Sequence, residues 1–375
     1  MSGRQGDVLL TGATGFVGME LLARYLERGD RRIVALVRAD SDAAARARVD
    51  DVLLNLLGSR AGQHRSRVEA FAADMTAPGL GLERSVRERL ACRVSTIIHS
   101  AASVSFTLPI EEAREINLEG TRRMLEFAEA AQSCGGLERY GHISTAYVAG
   151  THAGRFAEGD LDLGQTFHNS YERSKFEAEQ LVRSCGELPF TILRPSIVVG
   201  DSKCGWTSAF NVLYWPLRAF ARGLFTAVPA IPSAPVDVVS IDYVADAIHE
   251  LCESGGGVRE TYHLTAGPNA STMGEIAQLA SRYFRRPLPQ VLPPAEFAAL
   301  KRGAAENSAL DASRAYFPYF SIGTVFEQAV TRARLEPEGI RSSPLGDYLE
   351  RLLDFATLSR WGKRPIARVE AFAAS

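Results

Sequence analysis

The chain has 375 residues, of which 46% are hydrophobic and 23% are charged, with a formal net charge of −2. This length allows one large domain or two modest ones, and the charge balance gives no electrostatic case for a nucleic-acid or anionic-membrane partner. No apolar run reaches membrane-spanning length and no histidine spacing is typical of a metal site, so we predict neither. The scattered cysteines predict free thiols in a reducing, cytoplasmic setting: Cys92, Cys134, Cys185, Cys204 and Cys252.

The first predicted element is a strand at residues 7–11. A glycine-rich turn from Gly12 to Gly18 follows it directly, and a helical pattern then runs through Arg28. A dinucleotide site needs this order, because glycines let the backbone approach a pyrophosphate and the helix N-terminus offers free N–H groups. An ordinary glycine-rich βα turn is the alternative, but the strand before it and the helix after it favour a nucleotide site.

A second strand is predicted at residues 31–38 and ends on Arg38. NAD enzymes usually place a carboxylate here for the ribose 2′-hydroxyl, whereas an arginine suits the 2′-phosphate of NADP. Arg46 and Arg48 on the next predicted helix could add a second cation, while Asp40 and Asp42 could instead bind the ribose. The pattern favours NADPH.

Further strands are predicted at residues 68–74, 94–100, 139–145 and 190–195, and helical patterns alternate with them. Asp74 could face the adenine or simply cap Thr76. Asn117 lies in a helical run over 110–132 and would be tolerable on a surface. The alternation predicts an α/β fold with a Rossmann-type doubly wound parallel sheet, whose strands bind ligands at their carboxyl ends. Thr145 stands at such an end.

Tyr171 and Lys175 are four residues apart, so they lie one turn apart on one face of a predicted helix. A phenol is a poor proton donor or acceptor at neutral pH, and a nearby ammonium is expected to lower its pKa. An acid/base tyrosine with its tuning lysine is one interpretation, and a surface pair on an amphipathic helix is the other.

Residues 205–232 are rich in aromatic side chains, which could form core or a ligand pocket: Trp206, Phe210, Tyr214, Trp215, Phe220 and Phe225, with Arg218 and Arg222 among them. Strands are expected at 236–244 and 261–264, and an amphipathic segment at 345–361. We therefore predict an NADP(H)-binding domain at 1–200, with strands from about 236–265 returning to it. A smaller, mainly helical substrate-binding lobe would occupy 201–375.

Together these motifs resemble the extended short-chain dehydrogenases/reductases, and within them the thioester reductase branch. That branch covers fatty acyl-CoA reductases and the reductive-release domains of carboxylic acid reductases and nonribosomal peptide synthetases. The similarity covers roughly residues 7–265. Its motifs are TGATGFVG from Thr11, LVRA from Leu36, DMTAPGLGL from Asp74, HSAASVSF from His99, EINLEGT from Glu115, STAYV from Ser144, YERSKFEAE from Tyr171, LRPSIVVGDS from Leu193 and VDVVSIDYVADAI from Val236.

The resemblance implies a catalytic set of Thr145, Tyr171 and Lys175. Cofactor-binding residues are expected along the same motifs: Thr11, Gly12, Thr14, Gly15, Phe16, Val17, Gly18, Arg38, Arg48, Asp74, Met75, Ser100, Ala101, Ala102, Asn117, Tyr171, Lys175, Pro195, Ser196 and Ile197. It also implies hydride transfer from NADPH to an acyl thioester on a phosphopantetheine carrier, either CoA or a carrier protein, with no covalent cysteine. Thr145 and Tyr171 would stabilise the oxyanion, and Tyr171 would be the general acid. Collapse of the hemithioacetal would release a thiol and an aldehyde, which a second hydride could reduce to an alcohol.

Two other functions remain possible on these residues. The same triad serves ketone reductases and nucleotide-sugar epimerases or dehydratases, and epimerases would prefer a carboxylate at the Arg38 position. A non-catalytic dinucleotide sensor could also use the fold, but it would have no need of the three catalytic residues together.

Overall fold

The computed structural model describes residues 6–224, 226–253, 257–301 and 314–374. The strands, numbered in chain order, are β1 (Asp7–Thr11), β2 (Ile33–Val37), β3 (Val68–Ala72), β4 (Val94–His99), β5 (Arg139–Ile143), β6 (Gly154–Phe156), β7 (Phe190–Pro195), β8 (Ile197–Val199), β9 (Ala227–Pro229), β10 (Pro235–Val236), β11 (Val238–Ser240), β12 (Glu260–Leu264), β13 (Ser271–Thr272), β14 (Gln290–Leu292) and β15 (Thr324–Phe326). The α-helices are α1 (Phe16–Arg28), α2 (Asp42–Leu57), α3 (Ala61–His64), α4 (Arg84–Ala91), α5 (Ile110–Arg114), α6 (Gly120–Gly135), α7 (Ser170–Ser184), α8 (Tyr214–Ala221), α9 (Ile241–Glu253), α10 (Met273–Phe284) and α11 (Pro294–Lys301), followed by Ala329–Leu335, Leu349–Leu358 and Arg368–Ala374. A π-helical turn spans Glu115–Glu119, and 3-10 turns include Pro78–Gly81, Ala146–Ala149 and Arg314–Phe320.

Seven strands form one parallel sheet in the order β12-β7-β5-β4-β1-β2-β3. Every residue of β1, β2, β4, β5 and β7 is buried, because helices cover both faces of the sheet. Val8 and Leu10 of β1 join the core cluster that contains α1, α2 and α9, whereas Leu9 joins the cluster that contains α4, α6 and α7. The predicted Rossmann-type doubly wound sheet is thereby confirmed.

The sheet reverses its winding between β1 and β4, which lie side by side although β2 and β3 separate them in sequence. In open α/β sheets, ligands bind at the carboxyl ends of the strands at such a point. The segments that follow β1, β4, β5 and β7 therefore meet where a cofactor would be expected.

A further core cluster holds the elements outside the sheet. Trp206, Tyr214 and Phe220 are buried, so most of the aromatic segment is core. Phe225 lies outside the described residues. Short ladders pair β8 with β11, β9 with β14 and β6 with β15 in parallel, and β10 with β13 antiparallel. The boundary at residue 200 stays a prediction, although β12 does lie at the edge of the main sheet beside β7.

One local expectation is wrong. The strand predicted over 236–244 ends at Ser240, because residues from Ile241 onward begin α9, whose apolar face packs on α1. The helical run over 110–132 is confirmed, since α5, the π-helical turn and α6 follow one another without a break from Ile110 to Gly135. The amphipathic segment over 345–361 is also confirmed: it contains a 3-10 turn at Leu345–Asp347 and a helix at Leu349–Leu358, whose leucines are buried at Leu349, Leu352 and Leu353.

The prediction that all cysteines are free thiols is also wrong. Cys92 and Cys134 form a disulfide, with their Cα atoms 5.0 Å apart, while Cys185, Cys204 and Cys252 are free. The C-terminal ends of α4 and α6 pack together so closely that a Cβ on Gly135 would lie 3.2 Å from the Cys92 carbonyl oxygen. The two cysteines lie 42 positions apart in the chain, and no local pattern signalled this contact.

Across these described residues, none of the helices has the length and hydropathy that crossing a membrane requires.

Candidate functional site

A cavity of about 720 Å³ lies at the carboxyl ends of β1, β4, β5 and β7. It brings together residues that are up to about 300 positions apart in the chain. All predicted site residues except Thr11 and Asn117 line it: Gly12, Thr14, Gly15, Phe16, Val17, Gly18, Arg38, Arg48, Asp74, Met75, Ser100, Ala101, Ala102, Thr145, Tyr171, Lys175, Pro195, Ser196 and Ile197.

The glycine-rich turn forms one wall of this cavity. Gly12 has a φ of +74°, and a Cβ there would lie 2.9 Å from the Ala101 backbone nitrogen, so only glycine fits without strain. Gly15 is the N-cap of α1 and provides no side-chain hydrogen bond to the first turn, which also contains no acidic residue. The free N–H groups and the positive end of the helix dipole therefore face the cavity, as an anion requires.

Thr11 and Asn117 act from behind the cavity wall. Thr11 Oγ1 accepts hydrogen bonds from the backbone nitrogens of Ser100 at 3.1 Å and Ala101 at 3.0 Å. Asn117 accepts from Ser103 N at 2.8 Å and donates to Ser103 O at 3.0 Å and to Ser174 Oγ at 2.9 Å. Asn117 is buried, so the surface alternative for it is wrong. Both side chains fix the loop that follows β4.

Two arginines border the other end of the cavity. Arg48 donates to the Arg38 carbonyl oxygen and, at 3.3 Å, to Thr14 Oγ1, which holds its guanidinium beside the glycine-rich turn. The Asp42 carboxylate instead accepts from the Ala72 backbone nitrogen at 2.8 Å. Among the residues that the structure describes, Asp40, Asp42 and Arg46 do not line the cavity.

Asp74 caps Thr76, as one of its two predicted roles requires, while the adenine contact stays a prediction. Its carboxylate accepts from Thr76 N and Thr76 Oγ1, each at 2.8 Å, and these two bonds lower its pKa most. The charges of Arg38 and Arg123 lower the same pKa further. Asp74 therefore caps the following turn while it also lines the cavity.

The predicted catalytic side chains meet at the end of β5. Asn169 caps α7 by accepting from Glu172 N at 3.0 Å, and the first turns of this helix present Tyr171 and Lys175 to the cavity. Lys175 is 2% exposed, and its Nζ donates to the Ile143 carbonyl at 2.7 Å. Thr145 follows β5 and contacts Tyr171 through its hydroxyl.

The expectation that Lys175 lowers the pKa of Tyr171 is wrong in this structure. Burial raises the pKa of Tyr171 to about 12, the hydrogen bond from Thr145 lowers it, and the Glu172 carboxylate raises it. Burial in turn lowers the pKa of Lys175 to about 8, partly offset by Glu179. The phenol is therefore protonated at neutral pH and is available as a proton donor.

Several cavity residues were not among the predicted site residues. Phe106, Tyr147, Tyr316 and Tyr319 form an aromatic wall beside Tyr171, with the Phe106 ring 5.7 Å from the Tyr171 ring. All four lie on loops or 3-10 turns without a periodic pattern, although Phe106 and Tyr147 fall inside the HSAASVSF and STAYV motifs. Of the described residues in 205–232, only Ala209, Asn211 and Val212 line the cavity, so the described aromatic side chains of that segment do not form the pocket.

Within the described ranges, no group of three or more His, Cys, Asp or Glu side chains is placed to hold a metal ion.

Comparison with known proteins relates this site to a defined family. Residues 10–248 match the NAD-binding family described as Male sterility protein. The chain is 31% identical over 291 residues to a carboxylic acid reductase from Mycobacterium marinum, with 68% of this chain and 24% of that protein covered. It is 30% identical over 273 residues to the non-canonical nonribosomal peptide synthetase cpsA from Aspergillus campestris, with 69% and 26% covered. The chain thus spans about a quarter of the length of these relatives.

A solved structure covers nearly the whole chain. It is the terminal R domain from the myxalamid PKS-NRPS biosynthetic pathway, which is 26% identical and superimposes with a TM-score of 0.83 over 98% of this chain and 94% of that one. The match to the NAD-binding family includes well over half of the residues of this chain, and the cofactor is therefore a nicotinamide dinucleotide. The chain is a member of the thioester reductase family of extended short-chain dehydrogenases/reductases.

Proposed function

We propose that this protein uses NADPH to reduce an acyl thioester held on a phosphopantetheine carrier and releases an aldehyde. The observation that carries the proposal is the meeting of Thr145, Tyr171 and Lys175 at one end of a cavity whose other wall is the glycine-rich turn. Membership of a family of thioester reductases supports the choice of substrate class. A cytoplasmic location stays a prediction from the sequence.

The residues present fit the cofactor. The uncapped N-terminus of α1 suits a pyrophosphate. Lys175 lines the cavity at the end of β5, where its ammonium would contact a ribose hydroxyl. Arg38 and Arg48 provide the cationic charge that a 2′-phosphate requires, while the Asp42 carboxylate is already bound to the β3 backbone. The proposal of NADPH rather than NADH rests on these contacts.

When bound, the nicotinamide supplies a hydride to the thioester carbonyl. Thr145 and Tyr171 are placed to donate hydrogen bonds to the oxygen as it gains negative charge. Tyr171 can then give its proton to that oxygen, since its raised pKa keeps the phenol protonated at neutral pH. The hemithioacetal collapses as its hydroxyl proton returns to the Tyr171 phenolate and its C–S bond breaks, which leaves an aldehyde and the carrier thiolate, and the thiolate takes a proton from water to become the thiol.

None of the free cysteines Cys185, Cys204 and Cys252 lines the cavity. Burial raises the pKa of the Cys204 thiol to about 12, and the pKa of Cys185 is also raised. A thiol with a raised pKa is a poor nucleophile. This supports direct reduction of the thioester without an enzyme-bound acyl group.

The test is NADPH consumption with acyl-CoA and acyl-pantetheine substrates of several lengths, and with products trapped as aldehyde or alcohol. We expect turnover in the native protein and a loss of at least about 100-fold in Tyr171→Phe, because general acid catalysis typically contributes about 10²- to 10⁴-fold. Tyr283→Phe is the matched control, since it removes a tyrosine hydroxyl bound to Asp354 outside the cavity. Activity on a ketone or nucleotide sugar, with none on any thioester, would contradict the proposal.

The cofactor is tested separately. Arg38→Asp replaces the proposed 2′-phosphate contact by the carboxylate typical of NAD enzymes, so it should weaken NADPH binding while NADH binding is retained or improved. Each change is measured as a dissociation constant by nicotinamide fluorescence. Equal affinity of Arg38→Asp and the native protein for NADPH would show that this arginine does not select the cofactor.

A further inference from the structure

A closed ring of hydrogen bonds surrounds the first turn of α7, which carries Tyr171. Asn169 accepts from Glu172 N at 3.0 Å, and its Nδ2 donates to the Tyr319 hydroxyl at 2.8 Å. Tyr319 in turn donates to Glu172 Oε1 at 2.5 Å. The tyrosine comes from the 3-10 turn Arg314–Phe320, almost 150 residues after the helix that it contacts.

Glu172 depends strongly on this contact. Its side chain is fully buried, and its second oxygen accepts from His168 N at 2.9 Å and lies 3.1 Å from His168 Nδ1. Within the described residues no lysine or arginine forms an ion pair with it. A buried carboxyl group without enough donors is costly, so the Tyr319 hydroxyl is one of few groups that can hold Glu172 in place.

Tyr319 also reaches Tyr171 through an aromatic stack. The Phe106 ring lies 5.3 Å from Tyr319 at an interplanar angle of 25°, and 5.7 Å from Tyr171 at 31°. The edge of Tyr147 packs against Tyr319 at 4.8 Å, and Tyr319 itself is 3% exposed. Its ring is therefore fixed from several sides and limits where the Phe106 ring can lie.

We propose that Tyr319 is a positioning residue, which holds Glu172 and Phe106 on two sides of Tyr171 and so lets the C-terminal segment complete the active site. The expected effects on kcat and KM rest on the proposed function, because they require turnover of a thioester. Tyr319 acts through its neighbours, so it is not a catalytic residue. The site becomes competent only when the Arg314–Phe320 turn is docked against the first turn of α7.

The first experiment compares Tyr319→Phe with Tyr283→Phe. Tyr319→Phe keeps the ring against Phe106 and Tyr147 but removes the hydroxyl. We expect kcat to fall roughly ten-fold while KM and the dissociation constant of NADPH change less than about two-fold, because hydrogen bonds to charged groups are the stronger ones. Tyr283→Phe also loses a bond to a carboxylate, and it should retain native kcat. Equal kcat in the two variants would overturn the proposal.

A second experiment tests whether Tyr319 acts through Glu172. The groups facing Glu172 are His168, Tyr147 and Tyr319, and its carboxylate raises the pKa of Tyr171. Glu172→Gln should therefore shift the alkaline limb of the kcat profile to lower pH. The loss caused by Tyr319→Phe should also be smaller in the Glu172→Gln background. Fully additive losses with an unmoved alkaline limb would contradict the route through Glu172.

Hydrogen–deuterium exchange provides a readout that does not depend on turnover. We expect faster exchange in the peptide that spans residues 168–175 of Tyr319→Phe than in the native protein, and no change there in Tyr283→Phe. If no thioester is reduced by the native protein, the proposed function fails while this result still supports the positioning role. Native exchange over 168–175 in Tyr319→Phe would overturn that role whatever the substrate.

Discussion

Substitution of Thr11 tests most directly whether the loop after β4 is held in place for the cofactor. Thr11 is buried and lies outside the cavity. Its Oγ1 accepts from two backbone nitrogens and lies 2.9 Å from His99 Nδ1. Burial lowers the pKa of His99 to about 3, so the imidazole is neutral at pH 7. Because Thr11 Oγ1 already accepts two N–H groups, the Thr11 hydroxyl donates its own proton to His99 Nδ1. The proton of the neutral His99 ring is therefore assigned to Nε2, which lies 3.3 Å from Thr121 Oγ1.

Thr11→Val removes these hydrogen bonds with almost no change in volume. It leaves the backbone N–H groups of Ser100 and Ala101 without their partner, and each unsatisfied buried group costs roughly 1–3 kcal/mol. We expect the free energy of unfolding to fall by about 2–6 kcal/mol. We also expect dinucleotide affinity to fall at least about ten-fold, since the loop that lines the cavity loses its anchor. Thr11→Ser keeps the oxygen and loses one methyl group, which costs only about 1 kcal/mol.

The assay is urea unfolding followed by circular dichroism, together with NADPH titration of the folded variants. Thr11→Val should lose both stability and affinity relative to Thr11→Ser, which makes serine the matched control. If the two variants have the same unfolding free energy and the same affinity, the hydroxyl does not hold the loop and the reasoning is refuted.

Three further predictions concern stability. The native pKa of Lys175 is about 8, below its usual 10.5, so the folded state binds fewer protons than the unfolded state between these pH values. As pH rises through that window, the free energy of unfolding of the native protein should therefore increase by up to about 3 kcal/mol relative to Lys175→Met. Equal pH slopes of the two proteins in urea unfolding would contradict this. Reduction of the Cys92–Cys134 bond should cost about 4 kcal/mol from the loop it closes, and Cys92→Ser, the control, should be insensitive to reductant. Val212 has a φ of +35°, so Val212→Gly should raise the melting temperature slightly, and a lowered value would show that its side-chain packing outweighs the strain.

Much of the sheet could be predicted because its signals are local. Each strand at residues 7–11, 68–72 and 94–99 is a short apolar run next to a turn or helix pattern, and both faces of the sheet need apolar side chains. The glycine spacing likewise identified the turn at which only Gly12 fits. These patterns placed nearly every predicted site residue at the cavity, although their individual roles stay predictions.

The prediction that failed most clearly at the site concerned charge. Spacing alone put Lys175 on the same helix face as Tyr171, and from this we expected a lowered phenol pKa. The structure instead binds the ammonium to the Ile143 carbonyl and buries the phenol next to Glu172. Burial and neighbouring charges are properties of the packed environment, which helical spacing does not contain.

The sequence by itself determined the order of strands and helices, the glycine turn and the motifs of the family, because each depends on residues that are close along the chain. Only the tertiary structure decided that Cys92 meets Cys134, that residues 205–232 supply core rather than pocket aromatics, and that Tyr319 holds Glu172. These contacts join residues separated by tens to more than a hundred positions. They arise from the way in which complete elements pack together, and no local pattern encodes that packing.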